Sequence, residues 1–118
     1  MEIDLKRAYD LPADDDGCRV LVDRVWPRGV KKEELRLEEW MKEIAPSAAL
    51  RKWFGHDPEK WPEFVERYFS ELEEQHGSEV KRLKEIARKG RLTLVFGARD
   101  RERNNAVALR DYLLKTGR

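Results

Sequence analysis

Two short segments hold most of the side chains able to recognise a charged ligand. They are Asp23, Arg24, Trp26 and Arg28 in VLVDRVWPRG, and Gly97, Arg99, Asp100, Asn104 and Asn105 in LVFGARDRERNN. Each follows a run of apolar, partly β-branched residues, so each reads as the exit of a buried strand. In open α/β sheets, ligands bind beyond the carboxyl ends of the strands, where loops begin and helix N-termini point inward. If the two strands lie side by side and run the same way, Arg24, Arg28 and Arg99 converge over one edge. Guanidinium groups grip carboxylate or phosphate bidentately and free helical N–H groups add positive charge, so such an edge suits a small oxyanion, phosphate- or nucleotide-like. Gly97 leaves room for a ligand or a neighbouring backbone, and Asn104 and Asn105 can both donate and accept.

The acid/base candidates are Asp23, His56 and Asp100. His56, in RKWFGHDPEKW, lies between a glycine that ends one helix and the cap of the next, an exposed corner where proton transfer is geometrically open. Each of these residues also has a quieter role. Asp23 with Arg99, or Asp100 with Arg24, would close a structural ion pair. Asn104 and Asn105 would serve as helix caps. Trp53, Phe54 and Trp61 are spaced for helical burial rather than for stacking on bases. A competing arrangement is a nucleic-acid- or protein-binding module. It needs Arg28, Lys31, Lys32, Arg51 and Lys52 to form one basic, tryptophan-rich patch whose binding falls with salt.

Several chemistries are excluded by what is missing. Two histidines and one cysteine offer no zinc-ligand spacing, so no metal is expected. There is no phosphate loop, no dinucleotide glycine fingerprint and no Gly-x-Ser-x-Gly elbow, so no cofactor is expected. Cys18, at the start of an apolar strand, reads as a small buried hydrophobe. With 25 Lys and Arg against 24 Asp and Glu, the net charge of +1 provides no global field for polyanions, and any basic site must be local. No stretch resembles a signal peptide or a membrane span, which points to the cytoplasm and to no membrane partner. Gln75 is the only glutamine, and Asn104 and Asn105 are the only asparagines. Scarce amides beside abundant Lys, Arg and Glu suggest a heat-adapted host.

The elements that must position these residues follow from periodicity. The 118 residues suffice for one domain with a real core. Residues 2 to 6 alternate as a short strand, 18 to 25 form a buried strand ending at Pro27, and 91 to 96 form a second buried strand. Residues 31 to 35 open a short helix. Ser47 caps a two-turn helix closed by Gly55. Asp57 caps a long helix with Pro58 in its first turn, carrying the stripe Trp61, Phe64, Val65, Tyr68, Phe69 and Leu72. Gly77 ends it and Ser78 caps the next helix, which Gly90 stops in a left-handed conformation. Asp100 can cap the last helix, whose inner face is Ala106, Leu109 and Leu113, widened by Val107 and Leu114. Strands alternating with amphipathic helices predict an α/β fold, a small, mainly parallel sheet of three to four strands layered with helices. Residues 37 to 46 fit either a helix or a strand.

The segments DGCRVLVDRVWPRG, APSAALRKWFGHDPEKW and LVFGARDRERNNAVALRDYL together resemble the YeaO-like proteins, a branch of the family catalogued as domain of unknown function 488. The likeness spans nearly the whole chain. It implies an α/β fold and favours a strand near 39 to 44. Its pattern includes Asp23, Arg24, Trp26, Pro27, Arg28 and Gly29; Trp53 through Asp57; and Arg99, Asp100 and Asn104. It carries no settled activity. Longer relatives often have a cysteine just after the last strand and a Cys-His-Arg sequence at the following helix start. Gly97 and the Asn104, Asn105, Ala106 stretch stand in the similar region here, which implies that thiol chemistry is absent.

Overall fold

The computed structural model describes residues 1–117. Four strands, β1 (Glu2–Arg7), β2 (Cys18–Leu21), β3 (Glu39–Trp40) and β4 (Arg91–Phe96), form one parallel sheet in the order β1-β4-β2-β3. The helices are α1 (Lys32–Leu35), α2 (Ala48–Phe54), α3 (Trp61–Gln75), α4 (Gly77–Lys89) and α5 (Asn105–Thr116). The α/β reading therefore holds, with every strand pair parallel.

The last strand in sequence is central, and its composition suits that place, because Leu92 through Phe96 are all buried. Its alternation assigns two faces. Leu92, Leu94 and Phe96, with Val20 and Val22 of the β2 segment, meet Phe64, Tyr68, Leu72, Leu83, Leu109 and Leu113 from the helices. Val95 and Leu21 point the other way, where Ala8 and Leu35 join them and Trp26, Val30, Leu37 and Trp40 pack around. The long helices thus cover one face, and the segment between β2 and β3 covers the other with little regular structure.

Since β4 separates β1 from β2, the ten residues from Ala8 to Gly17 must cross over it. A buried polar cluster pins that crossing. The Asp16 carboxylate lies 2.7 Å from Lys6 Nζ of β1 and 2.7 Å from Arg19 of β2, with side-chain exposures of 3% for Asp16 and 4% for Arg19. Thr93 of β4 donates to the Asp16 carbonyl at 2.6 Å, and Arg19 also donates to the Leu35 carbonyl. Gly17, at φ 69°, lies against β4: a Cβ there would stand 2.3 Å from the Arg91 carbonyl oxygen.

Local differences from the expectations have local causes. The segment near 39 to 44 is a strand for two residues only. After the bond from Met41 N to the Leu21 carbonyl the chain turns through a 3-10 helix (Lys42–Ile44), ahead of Pro46. β2 stops at Leu21, with one further bond from Val22 N to Val95 O, because the next donor on β4's side, Gly97 N–H, is taken by the Asp23 side chain. The turn at Asp57 is 3-10 over Pro58–Lys60 before α3 begins. Pro62 cannot donate to the Pro58 carbonyl, and Trp61 N–H takes it instead. Gly77 is the first residue of α4 rather than a stop, with Val80 N bonding His76 O. Gly90 is extended, at φ 179°, not left-handed. Leu114 is 44% exposed and does not widen the buried face of α5.

Breaking the buried cluster is expected to be costly, because removing one partner strands the other's charge away from water. Asp16→Ala should lower unfolding free energy by about 3–5 kcal/mol in urea denaturation. An Asp16→Leu/Arg19→Met pair should cost clearly less than the single change. Equal losses would show that the cluster carries no buried-charge penalty.

Candidate functional site

Parallel strands send all their exits to one edge, and three of the four are occupied in sheet order by Ala8 after β1, Gly97 after β4 and Val22 after β2. Asp23 joins two of these exits to a helix start. Its Oδ2 accepts from Gly97 N–H at 2.8 Å and its Oδ1 from Asn105 Nδ2 at 3.0 Å, while the same Asn105 amide donates to the Val22 carbonyl at 3.1 Å. Trp40 Nε1 donates to the Asp23 carbonyl at 2.7 Å. A Cβ on Gly97 would stand 3.2 Å from Asp23 Oδ2, so the close approach that glycine allows is used by this carboxylate.

Beside Asp23 lies a cavity of about 350 Å³. Its polar lining includes Asp23, Arg24, Arg51, His56 and Asn105; its apolar walls include Val25, Pro46, Phe54 and Phe64. Phe54 and Phe64 stack with ring centroids 4.3 Å apart, which gives a flat, rigid wall. Arg51 Nε donates to the Pro46 carbonyl at 3.2 Å, anchoring its stem while its surface stays exposed. Burial pushes the Asp23 carboxyl above its ordinary 3.8; the Asn105 amide, the Gly97 N–H and the charges of Arg51 and His56 offset part of that rise.

His56 reaches the cavity from an unusual backbone. Gly55 closes α2 at φ 54°, and His56 follows at φ 58°, one of only two non-glycine residues with positive φ among the described residues. The left-handed region is tolerated by histidine more than by most residues, yet it still opposes stability. Asp57 then caps the 3-10 turn by accepting from Glu59 N–H at 3.0 Å.

The structure brings Asp23, Arg24, His56, Asn104 and Asn105 to one cavity, and it distributes the other candidates elsewhere. Asn104 is the cap of α5: its Oδ1 accepts from Val107 N–H at 2.9 Å and its Nδ2 donates to the Asp100 carbonyl, so its amide is already engaged. Asp100 does not cap α5. It accepts from Glu102 and Arg103 N–H and organises the loop before that helix, and these bonds hold its carboxyl below the ordinary value. Trp26 faces the other side of the sheet, donating to the Val30 carbonyl at 2.7 Å and meeting Trp40 edge-on. Arg28 and Arg99 are exposed at the same edge but outside the cavity lining, so only Arg24 of the three expected arginines lines it. The expected ion pairs of Asp23 with Arg99 and of Asp100 with Arg24 are not formed. Lys31 and Lys32 belong to the layer containing Leu35, whereas Arg51 and Lys52 belong to α2 on the opposite face, so these basic residues are divided between two layers. Arg51 is the cavity residue that spacing alone did not assign there. The available signal was topological, since a helix that follows a parallel strand starts at that strand's carboxyl edge. Among the described residues, no three His, Cys, Asp or Glu side chains gather as a metal site, and no helix is long and apolar enough to cross a membrane.

A four-stranded parallel sheet layered with helices, with a mixed-charge cavity at its carboxyl edge, defines an α/β protein. The chain belongs to the DUF488 family, matching over residues 2–117 the group described as the inactive DUF488-N3 subclade. It is similar to an uncharacterised protein of Escherichia coli (strain K12) called YeaO, with 49% identity over 113 residues, 96% of this chain and 97% of that one. An uncharacterised protein of Mycobacterium tuberculosis is 38% identical over 107 residues, 91% of this chain and 89% of its own. No solved structure matches the chain.

Two measurements follow from the geometry. In a carboxyl ¹³C titration Asp23 should have its midpoint above 3.8, while Asp10, held by Arg101, titrates at about 2. The signs differ. Ionising Asp23 costs folding stability as pH rises through its native midpoint. The Asp10 contribution is present above the unfolded carboxyl value and is lost as pH falls through about 2. An Asp23 midpoint below 3.8 would mean that its N–H partners and the nearby cations outweigh burial. Separately, His56→Gly should raise stability by up to about 1 kcal/mol by relieving the left-handed backbone. A loss of stability would show that the imidazole is held by packing.

Proposed function

We propose that this chain binds, without transforming, a small nucleotide-like ligand that has a flat head bearing N–H donors and an anionic tail. The observation that carries the reading is the pairing, in one cavity of about 350 Å³, of a half-buried acceptor with two arginines at an aromatic wall. A simple oxyanion would meet the Asp23 carboxylate and be repelled, or would require it to be protonated. A ligand with separated donor and anionic ends satisfies Asp23 and the two guanidinium groups of Arg24 and Arg51 together. The Phe54 and Phe64 rings and the Pro46 wall suit a flat heterocycle. The volume lies in the usual range for small-ligand pockets.

Binding without turnover is supported by two further points. The group to which the chain belongs is described as inactive. Gly97 stands at the strand exit with no side chain to offer; its N–H is bound to Asp23 and its carbonyl accepts from Arg7. His56 and Asp23 then serve as recognition groups rather than as an acid/base pair.

Isothermal titration with common nucleoside monophosphates, their free nucleosides and inorganic phosphate tests this. A monophosphate should bind more tightly than either part alone, and Arg51→Ala should weaken it about tenfold, as expected for a lost charge-assisted hydrogen bond. The bound ligand should be recovered unchanged. Binding of inorganic phosphate as tight as that of the monophosphate, or no heat with any monophosphate, would remove the reading.

A further inference from the structure

The carboxyl edge carries the largest group of arginines without a carboxylate partner among the described residues. Elsewhere four guanidinium groups meet carboxylates, Arg67 with Glu63, Arg82 with Glu39, Arg91 with Glu2 and Arg110 with Asp111, while Arg36 and Arg88 stand without one. At the carboxyl edge Arg7, Arg24, Arg28, Arg51 and Arg99 have no acidic partner within ion-pair distance among the described residues. Asp10 and Asp100, the acids nearest in sequence to these exits apart from Asp23, are taken by Arg101 and Arg103. Glu2, Asp14, Asp15 and Glu38 lie where the strands begin, away from these arginines.

These groups form one continuous rim. Arg7 donates to the carbonyls of Gly97 and Ala98, at 3.3 and 2.8 Å, beside Arg99. Its guanidinium lies 4.8 Å from the centroid of the Tyr9 ring, and the Tyr9 hydroxyl donates to the Arg28 carbonyl at 3.0 Å. The rim therefore runs from Arg99 through Arg7 and Tyr9 to Arg28, and it joins the cavity at Ala98 on one side and at Arg24 and Val25 on the other. Tyr9 is 48% exposed and Val25 66% exposed.

We infer that the rim is a track for single-stranded nucleic acid, with the cavity seating one unpaired base and its phosphate while the rim holds the phosphates that follow. This rests on the cavity reading above and extends it from a free nucleotide to a polynucleotide. Unpaired guanidinium groups supply phosphate contacts that need no existing ion pair to be broken, and the exposed Tyr9 ring supplies a stacking platform. A base reaches a pocket beside Asp23 only when it is free of a duplex, which is why a single strand fits and a paired one does not.

Fluorescence anisotropy with labelled oligothymidine and oligouridine of about 12 nucleotides tests it, within the range of lengths a small single-strand site covers. At least one strand should bind more tightly than the mononucleotide, with affinity falling steeply between about 50 and 200 mM salt. Arg28→Glu/Arg99→Glu should weaken the oligonucleotide at least tenfold and flatten its salt slope by about 0.7 for each phosphate no longer neutralised, while leaving mononucleotide binding unchanged. Arg88→Glu/Lys89→Glu, an equal change of charge at the far end of α4, should do neither. The inference is overturned if oligonucleotides bind no better than mononucleotides, if a matched duplex binds as well as the single strand, or if both double variants have the same effect. Mononucleotide binding without oligonucleotide binding removes the track and leaves the cavity reading intact. Oligonucleotide binding that is indifferent to Arg51→Ala, with no mononucleotide binding, removes the cavity reading and the seated base with it.

Discussion

Insertion of β4 between β1 and β2 is the constraint on which the remaining structure depends. A parallel strand added last, in the middle, must find its neighbours already separated by one strand width, and each neighbour must present it with a ladder of matching register. A carboxylate stands at each end of β2 to secure that gap. Before the strand, Asp16 gathers Lys6, Arg19 and the Thr93 hydroxyl around itself on one face. After it, Asp23 holds the first amide beyond β4 and the first side chain of α5. The two differ in electrostatic character. Burial pushes Asp16 up, but Lys6, the Ala13 N–H and Arg19 more than compensate and hold it below the ordinary value. Asp23 has weaker partners and stays above it. One is a closed structural joint. The other is held by neutral amides alone.

That difference supports the proposed ligand site at the carboxyl edge. Its lining combines groups that, in a purely structural setting, would have neutralised one another: a carboxylate bound only by neutral amides, and arginines left without acids. The positive φ of His56 adds a backbone cost at the same place. Costs of this kind persist where the surrounding fold over-determines the conformation, and they cluster at functional sites. Elsewhere Arg67, Arg82, Arg91 and Arg110 are each matched to a carboxylate.

Much of the fold was legible residue by residue. The Ser47 cap, the left-handed Gly55, the Asp57 turn and the stripe from Trp61 to Leu72 are all found as their local spacing indicates. The candidate site was legible in part. Asp23, Arg24, His56 and Asn105 were identifiable as chemistry-bearing residues at strand or helix ends, and they meet at one cavity. Trp26 was not assignable, because an indole near a strand exit can face either side of the sheet, and here it covers Leu21 and Val95 with Trp40. Arg51 escaped notice because its neighbours in sequence, Lys52 and Trp53, suggested an outer basic patch. Its place at the cavity depends on where α2 begins relative to strands that precede and follow it by many residues.

The order of residues by itself determined the elements, their caps and the α/β class, because those rest on interactions within a few positions: periodic burial, side-chain bonds to the next amides, and the freedom of glycine or the stiffness of proline. The tertiary structure alone decided the strand order, the partners of Asp23 and the arginines that enter the cavity or stay on its rim. Asp23 meets Gly97 across 74 positions and Asn105 across 82. Contacts at such separation form only when the whole sheet has closed, and their strength is set by the burial that closure creates, a quantity that no local pattern of residues encodes.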